Sequence, residues 1–144
     1  MEKIDSLNQV AEFHKTFNAP ILNTPQIPSK ERCELRVSLL QEELNELKEA
    51  IADNNLVEIA DALCDLQYVL SGAVLEFGLG EKFPALFNEV QRSNMSKACA
   101  NQQEADETIA FYKEKGEEAF SEISGEKINV HRKSDNKVLK NKYY

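Results

Sequence analysis

Apolar positions recur at helical spacing through the first hundred residues. Ile4, Leu7, Val10, Phe13 and Phe17 predict a first helix over 3–17. The stretch from Pro20 to Pro28 holds three prolines and no helical period, so it reads as an extended connection. Ser29 is placed to cap a second helix over 30–52, with Glu31 near its positive end. Along it Cys33, Val37, Leu40, Leu44, Leu47 and Ile51 form a heptad-like seam for packing against other helices. Asp53-Asn54-Asn55 is a short polar turn, which predicts that a third helix over 56–77 returns antiparallel. That helix is apolar or small at nearly every position, reads as buried, and ends at Gly78 and Gly80. A fourth helix is expected over 83–96, with Leu86, Phe87 and Val90 facing inward.

The pattern weakens beyond residue 100. Residues 101–123 are acidic and weakly amphipathic, and predict a fifth helix containing Ile109, Tyr112 and Phe120. After Gly125, the segments 128–132 and 137–139 flank Ser134-Asp135-Asn136, which predicts a β-hairpin with a polar turn. The fold class is therefore all-α, an antiparallel bundle of four to five helices with a small C-terminal hairpin. With 144 residues the chain is expected to form one domain, its core over about 3–97 and its tail over about 101–144.

Composition narrows the function classes. The formal net charge of −8 argues against a general nucleic-acid or membrane-surface binder, since both need a basic footprint. No apolar run approaches the length of a membrane span and the N-terminus carries no signal core, so a cytoplasmic location is expected. Cys33, Cys64 and Cys99 lack a CxxC pair, which disfavours a disulfide framework or a zinc site. Cys64 is expected as a small core residue of the third helix.

The acids carry the chemistry. Glu42, Glu43 and Glu46 sit on the second helix, and Glu58, Asp61 and Asp65 line one stripe of the third. A charge in so apolar a helix costs roughly several kcal/mol unless it is paired or binds a cation. If the two helices pack antiparallel, four or five carboxylates converge, and hard oxygen donors of this kind suit Mg²⁺ or Mn²⁺. A solvated acidic face, or a buried ion-pair network with Arg36 or Lys97, is the competing reading. A di-iron bundle would use Glu-x-x-His pairs, and neither His14 nor His131 follows a glutamate at that spacing.

Glu42-Glu43-x-x-Glu46 followed by Glu58-x-x-Asp61 resembles the EExxE…ExxD signature of the all-α nucleoside triphosphate pyrophosphohydrolases. That superfamily includes MazG-like, dimeric dUTPase-like and phosphoribosyl-ATP pyrophosphohydrolase members. Phe13-His-x-x-Phe17-x-x-Pro20, Leu35-Arg36-x-x-Leu39, Asp65-Leu-x-Tyr68-Val-x-x-Gly72 and Glu89-Val-x-Arg92-Ser-Asn94-Met-Ser-Lys97 are similar to its short MazG-like members. Residues 98–126 are longer than the connection expected there. The ExxD register selects Glu58 and Asp61, whereas the Asp-Leu-x-Tyr register pairs Asp61 with Asp65.

The resemblance implies Mg²⁺-dependent hydrolysis of a nucleoside triphosphate to the monophosphate and pyrophosphate. Metal ligands are then expected among Glu43, Glu46, Glu58, Asp61 and Asp65, with Glu42 as the catalytic base. Arg92, Asn94 and Lys97 are expected to meet phosphate, and Tyr68, His14 and Arg36 to contact substrate. A homodimer, with a tetramer as the larger option, is implied as well. Phosphoribosyl-ATP hydrolysis and a catalytically silent helical oligomerisation module are the alternatives.

Overall fold

The computed structural model describes residues 1–144 as two compact units, Met1–Pro84 and Ala85–Tyr144. Five helices are followed by an antiparallel hairpin, as the sequence pattern predicts.

In the first unit α1 (Ser6–Thr16), α2 (Lys30–Ala52) and α3 (Leu56–Glu76) pack together, with α3 between the other two. Local chemistry sets their ends. The Ser29 hydroxyl accepts from the Arg32 amide at 3.4 Å, closing the first turn of α2. Asn54 takes a left-handed backbone (φ 52°), and the Asn55 side chain accepts from the amides of Val57 and Glu58 at 3.2 and 3.3 Å. The polar triplet therefore ends α2, reverses the chain and caps α3.

The burial of these helices differs from expectation. Only the C-terminal part of α3 is enclosed, through Ser71, Gly72, Val74, Leu75 and Glu76, with Ala62 the one buried position before them. Leu56, Val57 and Leu63 lie open, as does Cys64, which is not the core residue expected. The α2 seam is half covered, because Val37, Leu44 and Ile51 remain exposed while Arg36 and Ala50 turn inward. Helix α1 begins only at Ser6, which leaves Ile4 outside it and exposed. Hydrophobic period identifies the apolar face of a helix, but not which neighbour covers it.

The connection over 20–28 is extended and strapped to the end of α3. The Leu22 amide donates to the Leu75 carbonyl and the Gln26 amide to the Phe77 carbonyl, both at 3.1 Å. Gly78 makes this approach possible. Its φ is +69°, and a Cβ there would lie 1.9 Å from the Thr24 carbonyl oxygen.

The second unit has its own small core of Cys99, Ala105, Val130 and Leu139, with Ile109, Tyr112, Ala119 and Ile128 packed against it. Helix α4 (Phe83–Met95) buries none of its residues, so Leu86, Phe87 and Val90 do not face a core as expected. Helix α5 (Gln102–Glu114) ends well before residue 123, and Phe120 lies on a strand instead. The hairpin pairs β1 (Ala119–Ser124) with β2 (Lys127–Arg132). The second strand was legible, but its partner precedes it. Ser134–Asn136 does turn the chain, yet residues 137–139 add only a bridge between His131 and Val138 before Leu139 joins the core. Gly116 (φ +81°) stops α5, and Gly125 (φ +60°) supplies the hairpin turn. No helix is long and apolar enough to cross a membrane.

Replacing Gly78 by Ala should cost about 1–2 kcal/mol through the left-handed backbone alone, before the clash with Thr24. A fall in Tm of roughly 5–10 °C in differential scanning calorimetry is expected. An unchanged Tm would mean that the 20–28 segment moves aside at no cost.

Candidate metal and phosphate site

The antiparallel α2–α3 pair fixes which side chains meet. On α2, Arg32, Arg36 and Glu43 repeat at spacings of four and seven, and so share the stripe turned toward α3. On α3, Asp61, Asp65, Gly72 and Glu76 form the facing stripe. Antiparallel packing then sets Arg32 and Arg36 against Glu76 at one end, and Glu43 near Asp61 and Asp65 at the other.

The acidic end is electrostatically unsatisfied. Burial pushes the Glu43 carboxyl above its ordinary value of 4.5, and the charges of Glu46, Asp65, Glu42 and Asp61 push it further in the same direction. Its Oε2 is the buried side-chain polar atom without a hydrogen-bond partner. Glu42, Glu46, Glu58 and Asp61 are exposed and Asp65 is half-buried, so a ligand can reach the cluster from solvent. Asp61, common to the two registers read from the sequence, acts on Glu43 together with Asp65, whereas Glu58 is not among the charges that do. No three Asp, Glu, His or Cys side chains are drawn tightly enough together to hold a metal ion in this conformation. The donor set nevertheless fits a hard divalent cation. It offers carboxylate oxygens only, one of them buried and orphaned, in a field that a positive charge would relieve.

The opposite end of the seam is satisfied. Glu76 is 1% exposed. It accepts from Arg32 Nε and Arg36 Nε, and from Arg32 Nη2 at 3.0 Å. Burial raises its carboxyl, but the hydrogen bonds from Arg32 and then Arg36 outweigh that and hold it below the usual carboxylate range. Sequence reasoning missed Glu76. The signal was its place on the Asp61–Asp65–Gly72 stripe, four residues beyond Gly72.

Arg36 and His14 are both buried. His14 Nδ1 donates to the Pro20 carbonyl at 2.9 Å, which ties the end of α1 to the connection. A Cβ on Gly72 would lie 2.8 Å from Arg36 Nη1 and 3.1 Å from His14 Nε2, so the bare glycine lets both side chains lie across α3. Tyr68 stands partly open with the Phe13 ring edge-on at 5.7 Å, and Phe13 also packs on Phe17.

Arg92, Asn94 and Lys97 belong to the second unit. Arg92 forms a forked ion pair with Glu89, through Nε at 2.9 Å and Nη2 at 2.6 Å, and Nη1 donates to the Tyr144 hydroxyl at 3.2 Å. Hydrogen bonding to Glu89 raises the Arg92 guanidinium further above its ordinary value, so it stays charged. Lys97 donates to the Asn94 side-chain carbonyl at 2.9 Å.

The chain is 31% identical over 104 residues to an uncharacterized protein of Acanthamoeba polyphaga mimivirus, covering 69% of this chain and 41% of that protein. It thus spans about two fifths of the length of that curated relative. The model of the phosphoribosyl-ATP pyrophosphohydrolase family matches residues 10–94, which include α2, α3 and every acid of the seam. That family relation supports a pyrophosphohydrolase-type activity in general. Matched over more than half its length, the chain belongs to the phosphoribosyl-ATP pyrophosphohydrolase family.

Proposed function

We propose that this chain hydrolyses the α–β anhydride of a nucleoside triphosphate-type substrate, with Mg²⁺ as cofactor, releasing pyrophosphate. The observation that carries the reading is Glu43, half-buried, with one buried and orphaned oxygen and the charges of four other acids acting on it. The family match puts phosphoribosyl-ATP first among substrates. The Asn94-Met95-Ser96-Lys97 segment favours a second reading, a free or modified nucleoside triphosphate removed from the nucleotide pool.

Glu43, Asp61 and Asp65 are the proposed heart of the cation site, with Glu46 and Glu58 completing it. Bound there, Mg²⁺ would neutralise the triphosphate and stabilise charge developing on the phosphoryl oxygens. Glu42 stands on solvent next to this set and is the proposed general base. It orients a water and takes its proton as the oxygen bonds to the α-phosphorus and the bond to the bridging oxygen breaks. Pyrophosphate leaves with the electron pair of that bond. Arg92, Asn94 and Lys97 are proposed phosphate contacts, and Tyr68 a substrate contact. The open apolar positions Val37, Leu44 and Ile51 on α2, with Leu56, Val57 and Leu63 on α3, support assembly as a homodimer.

Pyrophosphate release should be seen under millimolar Mg²⁺ with phosphoribosyl-ATP or with one member of a panel of ordinary and modified triphosphates. Glu42→Gln should lower kcat by about 10²–10³-fold with little change in Mg²⁺ affinity. Inorganic phosphate as the direct product, or full turnover by Glu42→Gln, would remove the assignment.

Glu43→Gln should abolish the rise in Tm that Mg²⁺ confers on the wild type. Because folding raises the Glu43 pKa, its ionised form destabilises the fold at neutral pH, and that penalty fades as pH falls toward 4.5. In EDTA at pH 7.5 the variant should therefore melt about 3 °C above the wild type, with the gain shrinking in acid. A variant less stable at both pH values would show that Glu43 is satisfied in the free protein.

Sedimentation should give twice the chain mass, or four times it for the tetramer. Val37→Glu should shift it toward the monomer, and a monomeric wild type would exclude the assembly.

A further inference from the structure

The α2–α3 seam is attractive at one end and repulsive at the other, on the same two stripes of side chains. Arg32 and Arg36 close on Glu76, while Glu43 is pressed by Asp61 and Asp65. Arg36 and Glu43 are seven residues apart on one helix face, and Asp65 and Glu76 eleven apart on the other. A rotation or slide of α2 that relieved the acids would also pull Arg36 off Glu76. The two ends are mechanically coupled through rigid helices.

We propose that Glu76 is a positioning residue for the cation site: gripped by Arg32 and Arg36, it holds Glu43 opposite Asp61 and Asp65 before any cation arrives. This rests on the proposed cation site and deepens it. The surroundings of the clamp are built for a fixed arrangement. Glu76 is 1% and Arg36 7% exposed, so neither carboxylate nor guanidinium has water as an easy substitute partner. Gly72 leaves room for Arg36 Nη1 and His14 Nε2, and His14 is itself held by the Pro20 carbonyl. Glu76 thus holds the guanidinium from α3, in the space that Gly72 leaves open beside it. Directional bonds from two arginines to one carboxylate specify the angle between the helices more sharply than apolar contact does. Without the clamp, repulsion among the acids favours splayed arrangements. Apparent cation affinity then falls by the fraction of molecules that remain assembled.

The test compares the wild type, Glu76→Gln and Arg32→Met as full chains. MgCl₂ titration is followed by calorimetry, and the metal-free Tm is measured in EDTA. Glu76→Gln should lower the metal-free Tm and weaken Mg²⁺ binding about tenfold, a fall of the assembled fraction to roughly one tenth. Arg32→Met removes only the half-exposed arm of the clamp and should weaken binding by about threefold while still folding. It decides the matter if Glu76→Gln does not fold. At saturating Mg²⁺ the KM for substrate should be unchanged in both variants. A lowered Tm with unaltered Mg²⁺ affinity would reduce Glu76 to a structural ion pair and overturn the inference. A wild type that takes up no Mg²⁺ would instead overturn the proposed cation site itself.

Discussion

Five carboxylates packed along one helix pair without a counter-charge set the terms for the rest of the first unit. Like charges at such spacing repel, and the repulsion grows as water is excluded. Glu43 bears the largest share because it is turned into the seam, whereas Glu42 and Glu46 keep their solvent. The helices stay together because other parts of the same seam compensate. Ala50 and Ala62 allow close approach near the turn, Asn54 and Asn55 fix the reversal, and Glu76 draws in two arginines at the far end. Buried Arg–Glu contacts of this kind return little net stability, because desolvation offsets much of the Coulomb gain. Their contribution is angular, since a charge buried beside one partner has nowhere else to go.

The apolar surface of the first unit follows a different logic. Helix α3 carries more hydrophobic positions than α1 and α2 can cover, and α2 carries a seam of which half faces outward. Both faces belong to the segment matched by the family model. The hairpin and α5 lie beyond that segment and enclose a small core of their own. An αββ unit this small is held by dense local bonding. The Cys99 amide donates to the Ile128 carbonyl at 2.7 Å and the Ile128 amide returns to Cys99 at 3.0 Å. The Asn141 side chain reaches both Glu104 and Thr108.

Helix positions and the acidic cluster could be read from the chain because both rest on local rules. Ser29, the Asp53–Asn55 triplet and Gly78 act on neighbours within a few residues, and the predicted limits of α2 and α3 fell within a residue of those observed. Long-range choices were not legible. The strand 119–124 follows a helix and carries alternating polar residues of no marked β preference, so its pairing with β2 depends on the turn at Gly125. Glu76 was overlooked because its value lies in Arg32 and Arg36, some forty residues away, and no periodicity reports a partner at that distance. A buried ion-pair network at Arg36 was legible as the competing reading of the acids, but its partner, Glu76, was not.

The order of charges along the seam separates two accounts of the acids. A helix pair arranged for stability alone would set opposite charges along its whole length, as it does at Arg36 and Glu76. A pair whose acids were only a solvated surface would turn them outward, as it does at Glu34 and Glu49. Glu43 fits neither account. It sits half-buried on the inward stripe, with one oxygen cut off from solvent and without a donor, and acids of both helices act on it. A group placed at such cost is relieved only by a proton or a cation. On the proposed reading the cation takes that place, since the surrounding carboxylates offer the hard oxygen that a divalent ion prefers. Membership in a pyrophosphohydrolase family fits the proposed cation, because a polyphosphate would approach so acidic a surface only with the charge between them neutralised.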